Sequence, residues 1–347
     1  MSRKIRRHNF MVFSLQFKTV GMTLVPIALI ALLLLLFSGE VAGVLFDGKV
    51  GQKANDNVKI DSPQGFGDQN SNGTEGVSSS EKGKILPLVS VSLAPKAENG
   101  YVSNERVYLR NHTKFDVDLK SIMESPLNLL GRKKEGPQVL VIHTHGSESY
   151  SEKNAATYNS NQSDRNTDIN QNVVAVGSTF AKTLTELGIE TVHDTTMYDR
   201  PDFNTAYTKS GEGAQKWLDK YPSIRVIVDV HRDSIVTSEG IKYRPVVDIG
   251  GKSAAQVMLV VGTPQNGLSH KNWRDNLNFA AHWAKLLEES NPGITRPIDL
   301  SKDRYNQQLR TGAVILEVGS SGNCLDEAIE SAKICAKSLS KLLTDNN

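Results

Sequence analysis

The sequence predicts an α/β domain with a largely parallel sheet flanked by helices. From about residue 138 onward, short apolar strand patterns alternate with amphipathic helix patterns, as in folds built from strand–helix–strand units. The strand patterns, such as "QVLVIH" and "IRVIVDVH", are apolar at nearly every position. Strands of this kind are buried on both faces, which is typical of parallel sheets covered by helices.

The predicted elements follow one another in a regular order. The strand "QVLVIH" comes first, and the helix "NQNVVAVGSTFAKTLTELG" follows and ends at Gly188. After it come strand "IETVHD", helix "NTAYTKSGEGAQKWLDKYP", strands "IRVIVDVH", "YRPVVDIG" and "AQVMLVVG", helix "NWRDNLNFAAHWAKLLEES", strand "GAVILEVG" and a last helix. The two cysteines, Cys324 and Cys335, would lie about 16 Å apart on that helix, which excludes a disulfide between them.

The N-terminal part predicts a membrane anchor and a linker. Residues 1–18 carry five basic residues and no acid, and residues 19–39 carry no charge. The uncharged segment would span roughly 30 Å as a helix, and it exceeds the apolar region of about 7–15 residues in cleaved signal peptides. We therefore predict a cytoplasmic tail at 1–18 and a signal anchor at 19–39. Residues 40–104 are predicted to be a flexible extracytoplasmic linker, and residues 105–347 the folded domain.

The charge distribution excludes one class of partner. The formal net charge is +2, and it becomes negative once the five basic residues of the N-terminal tail are left out. The exported part therefore lacks the basic surface with which proteins bind nucleic acid.

Three of the predicted strands run into ionisable residues. These are His143, His145 and Glu148 after the first strand, His231, Arg232 and Asp233 after the third, and Glu317 after the last. In open α/β sheets, ligands bind outside the carboxyl ends of the strands. Because parallel strands bring these ends to one edge, the sequence predicts a functional site there.

The residue types at this edge suit zinc catalysis. A catalytic zinc needs three protein ligands from His, Asp or Glu and leaves its fourth position to water. His145, Glu148 and His231 form such a set, and Glu317 remains to carry protons. His143 stays open as an alternative to His145.

A serine hydrolase is the competing chemistry at the same edge. Ser147 or Ser149 would be its nucleophile, but the chain has no GxSxG motif. His193 and His282 are expected to be structural. Asp229 interrupts an apolar strand, and it either orients a metal ligand or binds backbone groups.

Five segments resemble one known family. "VLVIHTHGSESY", "NVVAVG", "YPSIRVIVDVHRDS", "RYNQQL" and "VILEVGSSGN" resemble the stage II sporulation protein P family of spore-forming bacteria, from about Gly136 to the C-terminus. That family is similar to zinc-dependent N-acetylmuramoyl-L-alanine amidases, which have a phosphorylase/hydrolase-like α/β fold. The resemblance implies a peptidoglycan hydrolase with Zn²⁺ as its cofactor and amidase and endopeptidase activity. It further implies a role in forespore engulfment, with a lytic transglycosylase and a polytopic membrane protein as partners.

The resemblance also assigns residues. "HTHG" is similar to an amidase metal-binding element and implies His145, or alternatively His143, as the first ligand. "VDVHRD" implies His231 as another ligand, and "ILEVG" implies Glu317 as the catalytic glutamate.

The resemblance leaves the third ligand open. The amidases take it from a segment before the next helix, which reads "SDRNTDIN" here and contains no glutamate. Either Glu148 or Asp168 fills this role, and we prefer Glu148 because it lies three residues after a candidate histidine. Four residues in or next to the motifs are expected to bind substrate: Arg232, Asp233, Arg310 and Asn323.

The leading hypothesis is therefore a membrane-anchored zinc amidase that cleaves the bond between N-acetylmuramic acid and L-alanine. The alternatives are a zinc carboxypeptidase or endopeptidase acting on the stem peptide, and an inactive scaffold that binds the cell wall. Glu317 favours an enzyme, because a protein that only binds would need no proton carrier.

Overall fold

A computed structural model of the chain describes residues 58–61, 83–96, 100–129 and 135–345. The predicted cytoplasmic tail and signal anchor lie outside these residues. Within the described ranges, no helix has both the length and the apolar character needed to cross a membrane.

Strands and helices alternate from residue 139 onward, as the sequence predicts. The strands are β1 (Val58–Asp61), β2 (Ile85–Val91), β3 (Val102–Asn104), β4 (Val107–Asn111), β5 (Val139–Ile142), β6 (Thr157–Asn159), β7 (Thr191–His193), β8 (Val226–Thr237), β9 (Lys242–Ile249), β10 (Lys252–Ala255), β11 (Val257–Val261), β12 (Ile298–Leu300) and β13 (Gly312–Ser320). The α-helices are α1 (Leu119–Glu124), α2 (Val173–Glu186), α3 (Ala206–Lys220), α4 (Trp273–Ser290) and α5 (Leu325–Asp345), and Gln307–Leu309 form a short 3₁₀ helix.

The central sheet has the strand order β3-β4-β12-β11-β13-β8-β5-β7. Its half β13-β8-β5-β7 is parallel, as predicted. Strands β11, β12 and β4 are parallel to one another but run opposite to β13, so the sheet is mixed. The sequence does not predict the direction of β11. Parallel neighbours need a helical crossover, whereas β11 follows the successive antiparallel strands β8, β9 and β10 without one.

Three strands lie inside the stretch that the sequence predicts as linker, residues 40–104, and the first of them, β1, pairs antiparallel with β8. Strand β2 pairs in parallel with β9, and β3 pairs with β4. Polar residues dominate the composition before residue 85, whereas the short segment "ILPLVSV" has enough apolar and β-branched side chains to form a strand. The folded region therefore begins before the predicted boundary at residue 105.

Helices cover both faces of the central sheet. The side chains of β5 alternate between two core clusters, Val139 and Val141 facing one and Leu140 and Ile142 facing the other. The first cluster includes side chains of α2, α4 and α5, and the second includes side chains of α3. The carboxyl ends of the parallel strands are thus fixed in a well-packed sheet.

Candidate metal centre

The carboxyl end of β5 lies beside the middle of β8, which continues past His231 to Thr237, and beside the second half of β13. Strand β8 is in the middle, with Ile142 of β5 opposite Asp229 and Glu317 of β13 opposite His231. Because side chains alternate along a strand, Asp229 and His231 project from the same face of β8. The ionisable residues from three distant segments therefore meet beyond the carboxyl end of β5.

One buried group in the described part of the chain could hold a metal ion: His145, Glu148 and His231, whose ligand atoms all lie within 4.8 Å of one another. Nδ1 of His145 lies 3.7 Å from Oε1 of Glu148, and Nδ1 of His231 lies 3.3 Å from Oε2. A turn places the first two residues together, because the backbone N–H of Glu148 donates to the carbonyl of His145. Phe203 stacks on the His145 ring with centroids 4.4 Å apart and restricts its orientation.

Asp229 positions His231. One carboxylate oxygen, Oδ1, lies 3.0 Å from Nε2 of His231. The same carboxylate accepts hydrogen bonds from the backbone N–H and the hydroxyl of Thr144, at 2.8 and 2.6 Å. Metal-binding histidines commonly have their second nitrogen held in this way by a carboxylate. Asp229 therefore both orients a candidate ligand and binds backbone, the two roles that its sequence position left open.

The electrostatics of the cluster favour a cation. Burial disfavours the charged imidazolium of His231, but Asp229 and Glu148 outweigh it and raise the pKa of His231 well above its ordinary value. Burial also opposes the charge of Glu148, yet the hydrogen bond and charge of His231 hold its pKa well below the usual range. Burial lowers the pKa of His145 to about 4, so this imidazole is neutral and free to coordinate at neutral pH. The negative charge of Asp229 and Glu148, which favours a proton on His231, also favours a metal cation, and binding of the metal would release that proton.

Glu317 lies beside the cluster on the neighbouring strand. Its side chain is 3% exposed, and burial raises its pKa to about 8, with Asp233 and Glu148 adding to the effect and His231 opposing it. Oε2 of Glu317 has no hydrogen-bond partner among the described residues. A carboxyl group in this state can accept and release a proton close to neutral pH.

His143 belongs to a different environment from His145. Its Nδ1 lies 3.0 Å from the carbonyl oxygen of Val230, and its Nε2 lies 3.0 Å from Nε2 of His193. Burial and the nearby His193 lower the pKa of His143 to about 3. Both ring nitrogens thus have partners outside the cluster, so the geometry favours His145 over His143 as a ligand.

Asp168 also lies outside the cluster. Its side chain is exposed and accepts hydrogen bonds from the backbone and side-chain amides of Asn170, at 2.9 and 3.0 Å. The carboxylate that faces both candidate histidines is that of Glu148. The geometry therefore favours Glu148 over Asp168.

Arg232 and Asp233, which the sequence analysis expects to bind substrate, make contacts within the protein. The guanidinium of Arg232 is buried and donates to the carbonyl oxygens of Ser149 and Asp164, at 2.9 and 2.8 Å. The buried carboxylate of Asp233 accepts a hydrogen bond of 2.7 Å from Arg296. These groups hold loops and strands around the site together.

Arg310 and Asn323 also make contacts within the protein. Arg310 donates to the carbonyl oxygens of Ile224 and Leu309, at the end of the sheet where β8 begins, opposite to the cluster. The fully buried amide of Asn323 donates to the carbonyl oxygen of Pro245 and to Glu327. The observed contacts of these four residues are within the fold, and their role in substrate binding stays a prediction.

A second polar group next to the cluster was not predicted. NH1 of Arg165 donates to Asp199, which also accepts from the Ser147 hydroxyl at 2.5 Å, and Arg200 donates to the same hydroxyl. The partner of Ser147 is thus a carboxylate rather than a histidine, which argues against the serine hydrolase alternative. These contacts join segments far apart in sequence through irregular loops, and no motif marks them.

Comparison with known proteins identifies the family. The family described as stage II sporulation protein P (SpoIIP) matches residues 49–340. The chain belongs to the stage II sporulation protein P family. A relative named stage II sporulation protein P, from Bacillus subtilis strain 168, is 29% identical over 234 residues, which cover 64% of this chain and 54% of that protein. The matched region thus spans about half the length of that SpoIIP relative.

This SpoIIP family member has weak structural similarity to three solved amidases. They are the N-acetylmuramyl-L-alanine amidase Ami1 from Mycobacterium abscessus (14% identity, 61% of this chain, 99% of that chain, TM-score 0.34), the N-acetylmuramoyl-L-alanine amidase AmiC2 of Nostoc punctiforme (11%, 61%, 99%, 0.37) and the CwlD amidase from Clostridioides difficile in complex with the GerS lipoprotein (12%, 60%, 98%, 0.36). Because the TM-scores lie below 0.5, these likenesses assign no function.

Proposed function

We propose that this protein is a membrane-anchored, zinc-dependent N-acetylmuramoyl-L-alanine amidase that acts on peptidoglycan during forespore engulfment. The observation that carries the proposal is the buried group of His145, Glu148 and His231 with Glu317 beside it. Membership of the stage II sporulation protein P family supports the sporulation role.

The donor set fits zinc. Two imidazoles and one carboxylate are a common ligand set of catalytic zinc, and they leave a fourth position open. Oδ1 of Asp229 lies 3.0 Å from Nε2 of His231, and the other nitrogen, Nδ1, lies 3.3 Å from Oε2 of Glu148 on the side of the cluster. When bound there, the ion would supply Lewis-acid polarisation of the scissile carbonyl group and lower the pKa of a water molecule.

Glu317 supplies the proton transfers in this mechanism. Its carboxylate accepts a proton from the attacking water and then donates it to the departing amine of L-alanine. Burial raises the pKa of Glu317 toward neutral pH, where a carboxyl group can both accept and release a proton. Asp229 keeps His231 in one orientation throughout, and Thr144 keeps Asp229 in place.

The same centre could act on other amide bonds of the substrate. A stem-peptide carboxypeptidase or endopeptidase would use the same ligands and the same proton carrier, and the family resemblance implies endopeptidase activity as well. An inactive wall-binding scaffold would need neither Glu317 nor Asp229 in these positions.

Analysis of the released products separates these functions. Purified peptidoglycan is digested with the zinc-loaded protein, and the products are identified by mass spectrometry. An amidase releases intact stem peptides and leaves glycan strands without peptide. An endopeptidase releases muropeptide monomers instead, and a scaffold releases nothing, so either result would contradict the proposed amidase.

The proposed location rests on the N-terminal sequence. The uncharged segment 19–39 after a basic tail supports a single-pass anchor with the folded domain outside the cytoplasmic membrane. A lytic transglycosylase and a polytopic membrane protein are the proposed partners. A reporter fused after residue 347 should be extracytoplasmic, and the protein should stay in the membrane fraction at full mass; a shortened, released product would contradict the anchor.

A further inference from the structure

Two arginines share one hydroxyl group, that of Ser147, next to the candidate metal centre. Arg165 and Arg200 both donate to the hydroxyl of Ser147, at 3.3 and 3.2 Å. Arg165 also donates to Asp199 at 3.0 Å, and Asp199 is fully buried and accepts a further bond from Ser147. Two guanidinium groups thus meet at the Ser147 hydroxyl, and the buried carboxylate of Asp199 bonds directly to the guanidinium of Arg165.

Arg165 is held in place on the side of the metal centre. Its NH2 lies 3.8 Å from Oε1 of Glu148, and its guanidinium carbon lies 4.6 Å from the ring centroid of Phe203. Phe203 in turn stacks on His145. This arrangement fixes the guanidinium beside two candidate metal ligands before any substrate binds.

Part of the Arg165 side chain remains available to a ligand. Its side chain is 30% exposed, and among the described residues NH1 makes its side-chain hydrogen bonds, whereas NH2 has only the 3.8 Å ion pair with Glu148 and Nε has no hydrogen bond. Arg200 is exposed. Arg232, by contrast, is buried and bonded to backbone carbonyl groups. A planar guanidinium with two donors that make no hydrogen bond is suited to bind a carboxylate in bidentate fashion.

We propose that Arg165, with Arg200 beside it, binds the free α-carboxylate of the second residue of the stem peptide. This inference rests on the proposed amidase function, which places the scissile bond at the amine of the first residue. The α-carboxylate of the γ-linked second residue can lie at most about 7 Å further along the chain, a span of two residues. Arg165 stands within this range, since it is separated from the centre only by the carboxylate of Glu148.

The test compares two muramoyl tripeptides that differ only at this group, which is a free carboxylate in one and an amide in the other. Binding to the full chain is measured by calorimetry in detergent with zinc present, using Glu317→Gln to prevent hydrolysis. We expect the free acid to bind about 10-fold to 100-fold more tightly, the ratio expected for a hydrogen bond to a charged group. Adding Arg165→Met should weaken the free acid to the level of the amide while the amide is unaffected.

Two further variants serve as controls. Arg274→Met removes another guanidinium that lies over an aromatic ring, with its carbon 4.2 Å from the centroid of Trp273, and it should keep the preference. Arg165→Lys retains the charge without the planar fork, so it should keep part of the preference. If Arg165→Met fails to fold, Arg165→Lys decides, because an unchanged preference there would overturn the bidentate contact.

Several results would overturn the proposal. The first is equal affinity for the two tripeptides in the protein that retains Arg165. The second is that Arg165→Met weakens the binding of both tripeptides equally. The third is loss of zinc in Arg165→Met, which would make Arg165 a positioning residue for Glu148. The product analysis keeps the two hypotheses apart. A preference for the free acid in a protein that releases no stem peptides would contradict the amidase, whereas amidase products without a preference would contradict only the carboxylate site.

Discussion

The carboxylate of Asp229 lies 3.0 Å from Nε2 of His231, two residues further along the same strand. Both side chains project from one face of β8, and Thr144 at the end of β5 donates twice to Asp229. The histidine is thereby held with its other nitrogen 3.3 Å from Glu148. This pair connects the strand pairing of the sheet to the orientation of a candidate metal ligand.

Replacing Asp229 by Asn should weaken zinc binding without abolishing it. The amide keeps the shape but loses the charge that orients and polarises His231, and such partners typically contribute about 10-fold to 100-fold in metal affinity. Competition with a chelator of known affinity measures the change. Asp299→Asn is the matched control, since Asp299 is a buried carboxylate of β12, outside the cluster, that pairs with Arg110 on the neighbouring strand β4. Equal zinc affinity in the native protein and the Asp229 variant would contradict the pairing.

Glu148→Ala should lose zinc, whereas Asp168→Ala should keep it. The first variant leaves only two protein ligands, and the second removes an exposed carboxylate bonded to Asn170. Zinc content per chain after gel filtration distinguishes them. The opposite pattern would show that the third ligand is Asp168.

Two histidine variants should have different effects: His145→Ala on zinc binding and His143→Ala on the stability of the fold. We expect His145→Ala to lose zinc, as His231→Ala should, because each removes one of three ligands. His143→Ala should keep zinc but lower the free energy of unfolding by about 1–3 kcal/mol, because it leaves the carbonyl of Val230 and the ring of His193 without their partner. Urea unfolding and zinc content, measured on the same samples, test both. Zinc loss only in His143→Ala would reverse the choice between them.

Glu317→Gln should keep zinc and the fold while hydrolysis falls by roughly 10²–10⁴, the usual contribution of a general acid–base group. Glutamine has the size of glutamate but cannot carry the proton. Metal content, thermal melting and product release are compared on one preparation. Near-normal release would make Glu317 structural, and loss of zinc would make it a ligand.

His270 should make stability depend on pH. It is buried without hydrogen-bond partners among the described residues, and burial foremost, with Arg304, lowers its pKa to about 4. The unfolded chain takes up a proton below about pH 6.5, whereas the folded protein does so only near pH 4. Stability is therefore full above about pH 6.5 and falls between these values. The free energy of unfolding, measured by urea denaturation, should fall between pH 7 and pH 5, and we expect His270→Gln to reduce this fall by about 1–2 kcal/mol. An equal fall in the variant and the native protein would contradict this.

The location of the site could be predicted because continuous apolar runs identify buried strands and parallel strands share one edge. The contacts of single residues could not. His231 and Arg232 are neighbours in sequence, but alternation along β8 points them to opposite faces, so the arginine bonds loop carbonyls instead of facing the cluster. The pairing of Glu148 with Arg165 depends on the path of an irregular loop, for which the sequence has no periodic signal.

Metal removal and restoration test the central claim most directly. The protein is stripped of metal with a chelator, zinc is added back stepwise, and the products released from purified peptidoglycan are identified by mass spectrometry. We predict that release is lost without metal, returns in proportion to zinc up to one ion per chain, and consists of intact stem peptides. Release that persists in the metal-free protein would contradict a zinc-dependent amidase.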